Sequence, residues 1–485
     1  LSNGFMKIES FEARVRLLPL LRKKVEISRF IIGGLEVNLE KKSDGRANWD
    51  FRQKGNAGEK ITSPPSHWVN WSAPEDLSIA LFAITDGTVL WADRTQHLDY
   101  RIEDLMLLFN NFTLDNPVGV EFKGTFGGKS LAAEGKMGPL GPNPGMGVLP
   151  VDLAVSLINS FSGQVKGKFI NLLENPSYDL ELHIPPFSAR ELFASLNIDF
   201  PYVTGDPTTY LSVGIDATAK GDKDNVSIEN GKIIVDDTLL DISLAVKKFN
   251  NPDLGFTLNI DRLDLGRYLP LEATTTNNPE SLGQSEQGAT ADSGWQKMNM
   301  AGTIQVKELR VGGGIINDIS GNMRGADGIF MVDSSSFVLY QGRAQATLTV
   351  DMQKEIAETS IELKAQAVQV GPLLHDFMAK DFLSGSVDTD IYSQFSGNSL
   401  DRISKSLVAE GFLTLKNGVL EGIDLVNGLK NIVDLSSDLD SSAQKIRTEF
   451  SELKSIFTIR NGLVDSRETT IMSPISSTLV SGTAD

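Results

Sequence analysis

The chain has 485 residues, with 45 Lys and Arg against 63 Asp and Glu, a formal charge of −18 that argues against nucleic acid as a partner because phosphate binding needs a basic face. Apolar residues make up 40 %, enough for a core and too many for wholesale disorder. Cysteine is absent, which excludes disulfides and thiolate metal sites, and no apolar run reaches the ~18 residues that a membrane-spanning helix needs.

The charge is uneven. Residues 1–60 hold 13 Lys and Arg against 8 Asp and Glu, net +5, which leaves −23 for the remainder. A basic start suits anionic headgroups and a solvated surface equally well. In chain order one phrase recurs: "NGFMKI" at the start, "DGTVLW" (86–91), "NGKIIV" (230–235), "DGIFMV" (327–332), "NGVLEG" (417–422) and "NGLVDS" (461–466). Asn-Gly and Asp-Gly favour type I′ turns, whose two central residues need positive φ, so each phrase predicts a hairpin turn entering a strand. Asn417-Gly418 is expected to reverse the chain at the rim of a sheet.

Between these turns the dominant period is two. "LSIALFAI" (77–84) has strand length. "VGVEFKGTF" (118–126) puts Val118, Val120, Phe122 and Phe126 on one face against Glu121, Lys123 and Thr125. "VDLAVSL" (151–157) sets Leu153 and Val155 against Asp152 and Ser156, and "YDLELHI" (178–184) sets Leu180 and Leu182 against Asp179 and Glu181. Val213, Val306, Leu348 and Leu363 occupy the apolar faces of further alternating stretches. Such alternation predicts antiparallel strands with one apolar and one wet face. Helical spacing is confined to 188–196, 370–379 and 425–437, too little to cover roughly twenty strands. Residues 52–66, 138–147 and 272–294 read as loops; the last, poor in apolar groups, is the linker that divides 1–271 from 295–485.

The search for chemistry returns little. The four His residues (67, 97, 183, 375) show no metal-ligand spacing, and His183 falls on the polar face of its strand. "GTFGGKS" (124–130) lacks one residue of a phosphate loop, so Gly127-Gly128 reads as a hairpin turn. The acidic clusters 221–225 and 434–440 lack calcium-loop spacing, and the tryptophans at 49, 68, 71 and 91 read as packing residues. No catalytic or metal site, no cofactor and no enzyme activity are expected.

Collected, these stretches resemble the AsmA family of bacterial envelope proteins. "ARVRLLPLLRKKVEISRFIIGGLEVNLEKKSDGRANWDF" (13–51) carries its opening pattern, and "ITDGTVLWAD" (84–93) its following strand. "IDRLDLGRYLP" (260–270) and "AVQVGPLLHDF" (367–377) resemble its strand-to-helix turns, and "GFLTLKNGVLEGIDLVNGL" (411–429) its carboxy-terminal box. The resemblance implies an amino-terminal membrane helix upstream, anchorage in the inner membrane and projection into the periplasm. It also implies a long, twisted, curled sheet whose apolar groove carries phospholipid acyl chains, in support of outer-membrane biogenesis and lipid homeostasis. The absence of cysteine fits an envelope setting.

On that reading the fold is mainly β, and Phe122, Leu153, Leu182, Val213, Val306, Leu348 and Leu363 line the groove. Taken alone, the same alternation reads as the core of a sandwich or barrel. Two functions therefore stand side by side: a lipid-binding or lipid-conducting protein, and a dry-cored scaffold that meets other envelope proteins through exposed sheet edges. A β-helical carbohydrate enzyme or adhesin would need a regular coil period and clustered carboxylates, which the sequence lacks.

Overall fold

The computed structural model describes residues 5–22, 24–43, 47–48, 78–94, 98–142, 145–157, 160–202, 204–249, 251–268, 298–354, 356–397, 400–422, 447–460, 462–473 and 477–484. These form 25 strands and five short helices. Contacts group the chain into two compact units, Leu1–Tyr202 with Tyr210–Asp236, and Val203–Thr209 with Asp237–Asp485.

The first unit begins with β1 (Met6–Lys7), β2 (Ser10–Val15), α1 (Leu17–Leu20), β3 (Glu26–Gly33) and β4 (Glu36–Lys41). It continues with β5 (Ser78–Asp93), β6 (Leu98–Thr113), β7 (Val118–Phe126), β8 (Lys129–Met137) and β9 (Val148–Leu157). β10 (Phe161–Ile170), β11 (Ser177–Phe187), α2 (Ala189–Ser195), β12 (Val213–Asp222) and β13 (Asn225–Val235) complete it. From β5 to β13 each strand pairs antiparallel with the next. On the other edge of β5, β3 and β4 lie end to end, both parallel to it, with β2 on β3 and β1 on β4. Ser188 caps α2 by accepting a hydrogen bond from the Glu191 amide, as its position before "ARELFAS" predicts.

The second unit opens with β14 (Thr238–Lys247), β15 (Asp253–Asp264), α3 (Leu265–Tyr268), β16 (Asn299–Val311), β17 (Gly314–Ala326) and β18 (Ile329–Leu339). There follow β19 (Gly342–Asp351), β20 (Glu358–Gln369), α4 (Val370–Met378), β21 (Leu383–Ser396) and α5 (Leu400–Ser406). β22 (Val408–Glu421), β23 (Arg447–Arg460), β24 (Leu463–Met472) and β25 (Ser477–Ala484) end it. β15 and β16 run parallel, and from β16 to β25 the pairing is antiparallel in chain order.

The mainly β class holds, with one correction: the pairing is mixed, because β3, β4 and β16 each run parallel to a neighbour. Asp253–Asp264 bonds to Asn299–Arg310, so β15 belongs with the strands that follow it. The predicted linker 272–294 lies outside the described residues, as do 52–66 and the predicted helix 425–437.

The repeated phrase proves to have two structural meanings. Asp327-Gly328 joins β17 to β18 with φ of 51° and 79°, and Gly127-Gly128 joins β7 to β8 with 58° and 75°, so both are the expected hairpins. Asn417-Gly418 lies inside β22, which corrects the predicted reversal there. Asn417 has φ 49°, and the register to β21 shifts between Lys416 and Val419. Asp86 (φ 55°) inside β5 and Asn230 (φ 50°) inside β13 repeat the pattern beside register shifts. These are β-bulges, which use the same left-handed residue as the hairpin but bend the strand instead of ending it.

Candidate functional site

Residues paired directly across neighbouring strands face the same side of a sheet, so the registers show which side chains share a wall. In the first unit Leu153 pairs with Val165, and Val165 with Leu182. On the other side Leu153 pairs with Gly135, Gly135 with Val120, and Val120 with Phe109. Phe109 pairs with Phe82, and Phe82 with Phe30. The rings touch in sequence: Phe11 to Phe30 at 5.0 Å between centroids, Phe30 to Phe82 at 5.4 Å and Phe82 to Phe109 at 5.6 Å.

Phe122 stands in the adjacent row of the same wall, between Leu107 and Ala133. Val213 continues it, opposite Phe187 and Val235. All four candidates in this unit thus share one face, and all four are half-buried. The eleven strands from β2 to β13 that carry this face span about 50 Å along the sheet at ~4.8 Å spacing.

The second unit repeats the arrangement. Leu348 pairs with Val332 and Ile361, and Leu363 with Ala346 and Ile391, in neighbouring rows. Val306 lies between Ile260 and Ile319. Leu348 and Leu363 are half-buried, whereas Val306 is 7 % exposed and is the least accessible of the seven. At one end of this face α4 closes down as a lid of side chains. Val370 packs with Leu415, Phe450 and Ile471, and Leu373 and Leu363 both pack against Ala344, Ala365 and Val368. Tyr340 Oη donates to Asp376 Oδ2 at 2.7 Å and holds the helix down. Burial and that hydrogen bond push the phenol up to about 12.

The opposite face is wet. Across the first unit Lys136, Asp152, Lys166 and Glu181 pair in succession, so charges alternate in sign along the row. Lys220 reaches Glu229 at 2.7 Å and its pKa rises through that hydrogen bond. His183 Nδ1 lies 2.5 Å from Asp216 Oδ1, both side chains 58 % exposed. Two shallow depressions of the first unit, of about 440 and 530 Å³, lie beside Glu121, Glu134 and Gln164; their linings mix these polar groups with Phe122 and Val155 in the first and Val120 in the second.

Only 15 hydrophobic side chains are buried among the described residues. The apolar walls are therefore register-continuous but largely uncovered outside the reach of α4. A wall of Leu, Val, Ile and Phe offers no donors or acceptors. It can hold hydrocarbon at about 0.8 kcal/mol per buried CH₂ and cannot select a headgroup. The aromatic ladder escaped the sequence reading because "EISRFIIG" (26–33) ends in an apolar run that hides the alternation of Phe30 with Ile32. The lid was legible as a helix, but its docking on Leu415 and Phe450 is not a local property.

Fold and face define an extended-sheet protein with one apolar wall in each unit. The AsmA family model matches residues 2–135 and 154–469. The chain belongs to the AsmA family, a bacterial envelope family. No match is found among curated proteins or among solved structures. Among the described residues no helix is long and apolar enough to cross a membrane.

Proposed function

We propose that the protein binds phospholipid by its acyl chains on the apolar sheet faces and conducts it along them, without enzymatic chemistry. On this reading it is the periplasmic part of an inner-membrane-anchored protein that supports outer-membrane biogenesis and lipid homeostasis. The observation that carries the proposal is the half-buried state of Leu153, Leu182 and Leu348 on walls whose rows are continuous in register. A dry core would bury such side chains almost completely. Membership of an envelope family supports the setting.

Photocrosslinking amino acids at Phe122, Leu153, Leu182, Val213, Leu348 and Leu363 test it. They should capture phospholipid in cells, whereas Glu121, Glu181 and Lys364, on the opposite faces, should capture none. Native mass spectrometry of gently purified protein should show bound phospholipid. Capture at neither set, with no lipid retained on purification, would overturn the proposal in favour of a scaffold that meets other envelope proteins through its sheet edges.

A further inference from the structure

Exposed apolar side chains gather at one place in the first unit. At the turn between β2 and β3, Leu17, Leu18 and Leu21 are 75, 80 and 83 % exposed and Leu20 is 48 % exposed. Single exposed leucines are ordinary; four within five consecutive positions form a patch, and such patches mark interaction sites. The turn is built to hold them out. The Arg16 amide donates to the Glu26 carbonyl at 2.9 Å, closing the hairpin. The Pro19 carbonyl accepts from the amides of Arg22 at 2.8 Å and Lys24 at 3.1 Å.

The flanks are cationic. Residues 14–24 hold five Lys and Arg and no acidic residue. Arg14 and Arg16 pair with Glu12 and Glu26 but keep 67 and 60 % of their side chains exposed. Successive residues of a helical turn point about 100° apart, so Leu17, Leu18, Leu20 and Leu21 fall within one arc of about 160° on α1 and the residue that follows it. One apolar arc flanked by cations suits the interface of a bilayer that carries anionic headgroups.

We infer that the β2–β3 turn is a bilayer-contact site, its leucines entering the acyl region of a leaflet that carries anionic phospholipid and its cations meeting the phosphates. The contact stands apart from the lipid-carrying reading, since the turn can hold a bilayer whether or not the sheet face takes up acyl chains. Beside the turn, Val15, itself 45 % exposed, pairs with Ile27, Ile27 with Ile79, and Ile79 with Phe112.

The chain has no cysteine, so Leu18→Cys can carry a single environment-sensitive fluorophore. With phosphatidylcholine vesicles containing phosphatidylglycerol, emission should shift to the blue and be quenched by brominated acyl chains. Pure phosphatidylcholine should give a much weaker response. In flotation, Leu18→Asp with Leu21→Asp should lower vesicle binding about tenfold or more, with unchanged circular dichroism because both positions are exposed. Arg22→Glu should weaken it at least roughly fivefold, the worth of one cation at an anionic surface. Leu182→Asp should leave flotation intact while reducing retained lipid, which separates the two proposals. A fluorophore that stays in water on anionic vesicles, or a double variant that floats like the parent, overturns the inference. So does a double variant that abolishes self-association in sedimentation with no vesicle binding by the parent, which would make the turn a contact between copies.

Discussion

Gly418 of β22 is the register partner of Phe450 of β23, and a β-carbon at position 418 would overlap the Phe450 ring. The ring is 3 % exposed and packs with Val370, Leu415 and Ile471, so it has no free space to retreat into. The Ser384 carbonyl closes the other side at 2.7 Å from the same point. Glycine at the second place of the Asn-Gly phrase is therefore required by close approach, while Asn417 supplies the left-handed φ of 49°.

Gly418→Ala should destabilise the second unit by about 1–3 kcal/mol, the usual scale for forcing atoms into a packed core. Chemical denaturation measures it. A variant as stable as the parent would show that Phe450 can swing aside.

The same phrase shows where sequence reading stops. Asn417-Gly418 and Asp327-Gly328 ask for the same left-handed backbone, and only the partner strands decide between bulge and hairpin: β21 and β23 both continue past 417, whereas β17 stops at Ala326. Alternation in 118–126, 151–157 and 178–184 was enough to assign faces, because period two is local. The parallel pairing of β15 with β16 was not legible, since it joins residues more than forty positions apart. Nor was the burial of Val306, which depends on Ile260 and Ile319 from two other strands.

Leu182 and Leu363 should separate under the same substitution. Leu182 lies on an uncovered wall, while Leu363 packs against Ala344, Ala365 and Val368 beneath α4. Leu182→Asp should cost about 1 kcal/mol or less, because water reaches the carboxylate. Leu363→Asp should cost several kcal/mol, the scale of a charge placed in a packed cluster. Equal losses in urea titrations would mean that the two walls are covered alike.

Tyr340→Phe removes the hydroxyl that donates to Asp376 and accepts from the Ile315 amide. The loss should be about 1 kcal/mol and local, read as faster hydrogen exchange in α4 with little change in β14 or β15. The phenol is pushed up to about 12 by burial, then by Asp376. A pKa raised above its unfolded value of about 10 gives stability that is complete below that value and lost as pH rises through 12. Tyr340→Phe should therefore flatten the alkaline limb of the stability profile. An α4 that exchanges at the parent's rate would show that its apolar contacts suffice.

Asp206 governs the acid limb in the opposite sense. Its Oδ1 accepts from the Thr208 hydroxyl at 2.6 Å and from the Thr208 amide at 2.7 Å, while Oδ2 accepts from Arg267 Nε at 2.8 Å. These hold the carboxyl down at about 2, against an ordinary 3.8, the Thr208 hydroxyl contributing most. A depressed pKa gives stability that is complete above the unfolded value and is lost as pH falls from about 4 through 2. Asp206→Asn keeps an acceptor for Thr208 but cannot ionise, so it should be less stable than the parent at pH 7 and should converge on it toward pH 2. Arg267→Met should show part of the same convergence, since it removes the cation and leaves both Thr208 donors. The side chain keeps 29 % of its surface in water, so the effect should shrink as salt is added. Parent and Asp206→Asn curves that run parallel from pH 5 to 2 would show that this carboxyl titrates alike in the folded and unfolded chain.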